Sequence, residues 1–82
     1  MGKVMTVMKV FAAEGQDPTQ LAENVRQVKG CVKSEVIDYV FGVKVVQASF
    51  VCEDKEGVDY EEVVKAVAGV NEVQVEEVGL IS

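Results

Sequence analysis

The sequence predicts an α+β fold in which a four-stranded antiparallel sheet carries two helices on one face. Valine dominates an apolar content of 49%, and this β-branched residue packs well on the pleated surface of a sheet. Several segments show the alternation of side chains that is typical of strands. Two sequence patterns that start helices lie between these segments, so the elements follow the order β-α-β-β-α-β. A chain of 82 residues has room for one domain, which we take to span residues 1–82.

The first strand is predicted over residues 3–11, where side chains alternate with a period of two. Such alternation is typical of a strand with one buried face. We expect the uncharged even-numbered side chains to meet the helices. They are Val4, Thr6, Met8 and Val10.

A helix is predicted to start at residues 17–20, where several start signals coincide. Asp17 can cap the helix, Pro18 suits its first position, and Gln20 completes a capping box. Gly30 is expected to end the helix as its C-cap. Its apolar stripe, at helical spacing, consists of Leu21, Val25 and Val28.

Two further strands are predicted at residues 33–39 and 43–52. The first alternates ambiguously and suits the edge of a sheet. The second is almost uninterruptedly apolar, as expected of a central strand. Its predicted core face consists of Val46, Ala48, Phe50 and Cys52.

The second helix and the last strand are predicted from residue 59 onward. Asp59 and Glu62 have the spacing of another capping box, and Gly69 is expected to close the helix. The apolar stripe of this helix is Tyr60, Val63, Val64 and Val67. Val73 and Val75 then alternate with polar residues in a final strand.

This order of elements is the ferredoxin-like arrangement of two βαβ halves, with right-handed crossovers. The sheet face away from the helices should be open and only partly polar, with Met5, Val7, Val45 and Gln47 on it. An exposed apolar patch of this kind suggests a docking surface. The fold by itself does not name a function.

The charge balance argues against direct binding to nucleic acid. A formal charge of −6 repels a phosphate backbone and forfeits the release of counterions on binding. No apolar run approaches the roughly 20 residues that span a bilayer, and the amino-terminal residues lack the pattern of a signal peptide. We therefore expect a cytoplasmic protein with no membrane partner.

The reactive side chains indicate no covalent chemistry and no cofactor. There is no histidine, and Cys31 and Cys52 have no CxxC spacing for a zinc site. The acidic loop 53–59 fails the calcium-loop spacing and is interpreted as a solvated turn. Glu76 and Glu77 should point to opposite faces of a strand, which rules them out as a paired acid and base.

One block of the sequence resembles a known family. Three segments occur in the order seen in the guanine-nucleotide exchange domain of translation elongation factor 1-beta. They are Phe41-Gly42-Val43-Lys44, the acidic turn 51–57 and the closing segment 70–81. Met8-Lys9-Val10 is similar to the first strand of archaeal members. The length also resembles the archaeal stand-alone form, and residues 11–37 match in architecture only.

The resemblance implies a guanine-nucleotide exchange factor for elongation factor 1-alpha, the GTPase that carries aminoacyl-tRNA. Such a factor needs no chemistry of its own, because it acts by binding the nucleotide-free GTPase more tightly than the GDP-bound form. The implied contacts with the GTPase are Phe41, Gly42, Lys44, Gly79, Leu80 and Ile81. From the residues alone, Gly42 provides an unusual backbone conformation between two strands, and Phe41 is either packed or presented.

One position departs from the family pattern. The family has a basic residue just before its final hydrophobic residue, able to displace Mg²⁺ electrostatically, and here that position is Leu80. The tail therefore brings no cation. A divergent member without exchange activity is one alternative, and a small-molecule sensor resembling ACT regulatory domains is another. An ACT domain should have a glycine-rich turn after the first strand, where this chain has only Gly15.

Overall fold

The computed structural model describes residues 2–81, so that positions 1 and 82 of the predicted domain lie outside it. The elements are β1 (Lys3–Ala12), α1 (Pro18–Arg26), β2 (Cys31–Asp38), β3 (Lys44–Glu53), α2 (Tyr60–Lys65) and β4 (Val70–Leu80). Short 3-10 turns at Val40–Gly42 and Asp54–Glu56 flank β3. The four strands form one antiparallel sheet, which confirms the predicted ferredoxin-like fold.

The strand order β2-β3-β1-β4 makes β2 an edge strand and places β3 inside the sheet, as predicted. Lys3 pairs with Glu53, and Val10 pairs with Val46. The turn between β2 and β3 therefore lies at the same end of the sheet as the end of β1, which we call the hairpin end. The other end, where β1 starts and β4 finishes, is the tail end.

The core lies between the helices and the predicted inner face of the sheet. Thr6, Met8 and Val10 of β1 are buried, as are Val46, Ala48 and Phe50 of β3. From the helix side, the buried residues are Leu21, Ala22, Val25, Tyr60 and Val64. The rings of Phe50 and Tyr60 stack with their centroids 4.8 Å apart. Val4 and Cys52, also predicted to face the helices, are only half-buried.

The helix starts agree with the predicted caps, although only in part. The Asp17 carboxylate accepts from the Thr19 amide at 3.2 Å, and Asp59 accepts from the Glu62 amide at 3.4 Å. The predicted capping box at Gln20 is wrong. Its amide donates forward to Asn24 Oδ1 at 3.2 Å, because the side chain lies on the exposed face beside the next turn of the helix.

Both helices end earlier than their glycines predicted. α1 stops at Arg26 and α2 at Lys65, in each case four residues before a glycine. After Arg26, the Val28 amide bonds to the Val25 carbonyl at 3.0 Å, which is the tighter i to i+3 pattern common at helix ends. Gly30 and Gly69, with φ of 96° and 90°, instead turn the chain into the next strand.

Candidate functional site

The turn between β2 and β3 presents an aromatic side chain to solvent. Phe41 has φ 57° and ψ 32°, a left-handed conformation that is unusual for a bulky residue. Gly42 follows with φ 74°, which confirms that the glycine provides a special backbone conformation. The Phe41 side chain is 99% exposed. The structure thus presents this ring, although burial would have stabilised the fold.

Lys44 starts β3 beside this turn, and its side chain is paired. Its Nζ lies 2.6 Å from Oδ1 of Asp38, its cross-strand partner on β2. The hydrogen bond and the positive charge of Lys44 lower the pKa of the Asp38 carboxyl. Both side chains remain more than half exposed, so the ammonium group is available to a partner that offers a better acceptor. We call Phe41, Gly42 and Lys44 the hairpin patch.

The last residues of β4 form a second exposed group. Gly79 pairs with Met5 and Leu80 with Val4, and the Ile81 amide bonds to the Lys3 carbonyl at 2.9 Å. Leu80 is 69% exposed and Ile81 is 49% exposed. This tail is therefore held in the sheet by its backbone while its apolar side chains face solvent. We call Gly79, Leu80 and Ile81 the tail patch.

The two patches do not meet. The hairpin patch lies at the hairpin end of the sheet and the tail patch at the tail end, because β1 runs between them. The stretch of β1 from Val4 to Phe11 alone spans about 23 Å at the usual strand rise, and the molecule is 41 Å long. The residues predicted as one set of contacts thus form two separate surfaces.

A bulge in β4 changes the predicted placement of two carboxylates. Val7 pairs with Glu77 and Met8 with Val75, which leaves Glu76 as an extra residue in β4. The prediction that Glu76 and Glu77 point to opposite faces is therefore wrong. Glu76 contacts Lys9 on the open face, and Glu77 lies opposite Val7 on that same face. A bulge permits this because it adds one residue to the alternation.

The open face of the sheet is more covered at the hairpin end than the sequence predicted. Val45 is only 1% exposed, so it is not part of an open apolar patch. Extending the β1–β3 register by one residue puts Phe11 beside Val45. The Phe11 ring meets the Tyr39 ring edge to face, with centroids 5.4 Å apart. Sequence reasoning missed this aromatic pair, because Tyr39 was assigned to a strand and its ring had no predicted partner.

The remaining reactive groups offer little chemistry. Across residues 2–81, no three acidic, cysteine or histidine side chains are arranged to hold a metal ion. The acidic loop folds on itself, since Oε1 of Glu56 accepts from the Glu53 amide at 2.8 Å. Cys31 and Cys52 are free and half-buried, and burial raises the pKa of the Cys31 thiol. Neither helix in this range is long and apolar enough to cross a membrane.

Comparison with protein families identifies one match, which covers residues 5–81 and is described as the EF-1 guanine nucleotide exchange domain. The match includes both patches and all the strands except the first two residues of β1. It supports the exchange-domain interpretation over the ACT alternative. No curated protein matches the chain.

Proposed function

The chain belongs to the EF-1 guanine nucleotide exchange domain family, and from this premise we propose that it docks on elongation factor 1-alpha through the hairpin patch and the tail patch. The family indicates guanine nucleotide exchange on this GTPase in translation elongation. Exchange is accelerated when a factor binds the nucleotide-free state more tightly than the GDP-bound state, and the same coupling weakens GDP binding. The proposal therefore assigns binding surfaces and no catalytic residue.

The observation that carries the proposal is the exposure of Phe41. An aromatic side chain that is 99% exposed on a left-handed backbone contributes nothing to the core and adds strain to the turn. Aromatic residues are common anchors of protein interfaces, where burial on binding stabilises the complex. Lys44, three residues later, supplies a cation at the rim of the same surface, which suits steering and orientation.

The tail patch supports a contact of a different kind. Leu80 and Ile81 offer apolar surface and no charge. At the position of Leu80, the family pattern has a basic residue. Exchange by this chain therefore depends on docking and on distortion of the nucleotide site, without a tail cation to displace Mg²⁺. The rigid backbone pairing of Leu80 with Val4 would let the tail transmit such a distortion.

The separation of the patches suits a partner that is gripped at two places. Two contacts on one rigid body bind cooperatively, because the second contact forms at a high effective concentration once the first is made. Loss of either patch should then weaken the complex strongly without abolishing every contact. We further propose that the chain is an archaeal-type member, acts in the cytoplasm as a single domain over residues 1–82, and performs no covalent step.

The test is the release of labelled GDP from elongation factor 1-alpha with and without this protein. Acceleration at micromolar concentrations is expected, alongside an exchange factor of known activity as the positive control. Calorimetry with the empty and the GDP-bound GTPase should show tighter binding to the empty form. Equal affinity for both forms would remove the proposed activity.

A further inference from the structure

Lys9 is the centre of a network of side-chain contacts that crosses the open face of the sheet. Its Nζ bonds to Oε2 of Glu76 and lies 6.0 Å from the centroid of the Tyr39 ring. The side chains of Lys9 and Glu76 are only 18% and 31% exposed. Among residues 2–81 this is the least exposed ion pair, since both members of every other pair are at least 45% exposed.

On one side, this contact network reaches the hairpin patch. Tyr39 immediately precedes the turn that carries Phe41, and its amide closes the hairpin by bonding to the Val43 carbonyl at 2.7 Å. Its ring packs against Phe11 and faces the Lys9 ammonium. An ammonium group near the face of an aromatic ring is attracted to it, and more strongly where water is excluded.

The turn residues themselves are poorly packed. Val40 and Val43 are 55% and 50% exposed, and no residue of the turn is buried. Besides the exposed Lys44–Asp38 pair at the base of the hairpin, the side chain that ties the turn to the sheet is Tyr39, whose ring contacts Phe11 and Lys9.

On the other side, this contact network ends at the β4 bulge. Glu76 is the extra residue of the bulge, and its second carboxylate oxygen accepts from Gln47 Nε2 at 3.4 Å. Gln74, the cross-strand partner of Lys9, lies two residues before Glu76, so the alternation of β4 places Glu76 on the same face as Lys9. The bulge brings Glu77 to this face as well, and Glu76 is the carboxylate that fixes Lys9 beneath Tyr39.

We propose that Lys9 is a positioning residue for nucleotide exchange: held by Glu76, it fixes Tyr39 and so keeps Phe41 in the orientation that docks on the GTPase. This inference rests on the proposed function of the hairpin patch. Lys9 itself need not touch the partner. Its role is to reduce the conformational freedom of the hairpin before binding, which lowers the entropy lost on association.

The test compares Lys9→Met with the wild type in the GDP-release assay, in two backgrounds. In the otherwise wild-type chain, Lys9→Met should raise the half-saturating concentration of GTPase about fivefold, with little change in the rate at saturation. In a Phe41→Ala background, the same substitution should have no further effect, because the contact that it positions is already lost. Lys33→Met is the matched control, since Lys33 pairs with Glu35 on the same face but is 58% exposed.

A second readout uses the free protein. Hydrogen exchange at the Tyr39 amide should be faster in Lys9→Met, while exchange at core strand amides stays unchanged. If Lys9→Met fails to fold, Glu76→Gln removes the partner charge and should give the same pattern. The charge-exchanged pair Lys9→Glu with Glu76→Lys should not recover the loss, because the face of the Tyr39 ring attracts a cation and not a carboxylate.

The outcomes separate the two proposals. If the wild type releases GDP but Lys9→Met matches it, or loses activity equally in both backgrounds, Lys9 does not position Phe41 and this inference is overturned alone. If the wild type releases no GDP, the proposed function is overturned and this inference with it.

Discussion

Lys44 and Asp38 form a cross-strand ion pair at the base of the exposed hairpin, with 2.6 Å between Nζ and Oδ1. The pair joins the two strands that support Phe41, so Lys44 has a structural contact as well as a proposed functional one. Surface pairs of this kind contribute little to stability, because solvent screens them and the side chains lose entropy. The two roles can therefore be separated by experiment.

We predict that Lys44→Ala weakens association with elongation factor 1-alpha more than it lowers the melting temperature. Asp38→Ala is the control, since it breaks the same ion pair but leaves the cation free. It should preserve association or strengthen it. Calorimetric titration and thermal melting measure the two effects, and equal loss of association in both variants would make the pair structural.

Phe41→Asn should lower exchange strongly while leaving stability intact. Asparagine tolerates the left-handed conformation at this position, so the turn should persist without the aromatic anchor. Loss of an interface anchor typically costs about 2 kcal/mol or more of binding free energy. The unfolding free energy should change by less than about 0.5 kcal/mol or rise.

The matched control for Phe41 is Val32→Ala. Val32 is also an exposed apolar residue, at 61%, but it lies on β2 away from the turn. It should leave GDP release unchanged. Full activity of Phe41→Asn would exclude the ring as a contact.

Leu80→Lys should increase the rate of GDP release and make it more sensitive to Mg²⁺ concentration. The substitution restores the cation that the resembling family has before its last hydrophobic residue, and Leu80 is exposed enough to be replaced without disturbing the core. Val78→Lys adds the same charge two residues earlier on the same face of β4 and should have a smaller effect. GDP release by the two variants should be measured over a series of Mg²⁺ concentrations. Equal responses would show that the added charge acts regardless of its position, and not through the site of Leu80.

Gly30→Ala should destabilise the fold severely. A Cβ at this position would overlap the Tyr60 hydroxyl and disrupt its 3.2 Å hydrogen bond to the Val51 carbonyl. We expect a loss of about 2 kcal/mol or more in the free energy of unfolding, from the steric clash, the broken hydrogen bond and the left-handed backbone.

Gly15→Ala separates these causes. Gly15 also has a positive φ, of 84°, but a Cβ there meets no atom within 4 Å. The Gly15→Ala variant should therefore lose only about 1–2 kcal/mol of unfolding free energy, from the strain of a left-handed backbone at alanine. Urea denaturation measures both variants, and equal losses would show that the Tyr60 contact adjusts freely.

Stability should fall in acid partly through Glu76. The hydrogen bond from Lys9 lowers the pKa of the Glu76 carboxyl in the folded protein. A depressed folded pKa contributes stability that is present above the unfolded value, about 4.3, and that is lost as the pH falls through the lower folded pKa. Wild type should therefore exceed Glu76→Gln in stability at pH 7, and the difference should vanish in strong acid. Denaturation curves at several pH values test this, and a difference independent of pH would contradict it.

The elements and their faces follow from the sequence because they depend on neighbouring residues. The period of two in β1 places Met8 and Val10 in the core, and Asp17 and Asp59 start the helices with bonds to amides two or three residues ahead. Such interactions are decided within one turn of helix or a few residues of strand. The residues of the hairpin patch were also singled out from the sequence, through its resemblance to the exchange-domain family.

Only the tertiary structure decided how these parts relate across the sheet. The pairing of Leu80 with Val4 separates the tail from Phe41, and the pairing of β1 with β4 brings the Glu76 carboxylate to Lys9, 67 residues away in the chain. Burial of Val45 depends likewise on the pairing of distant segments. Strand register and bulges arise from contacts between segments remote in sequence, so local periodicity carries no signal for them.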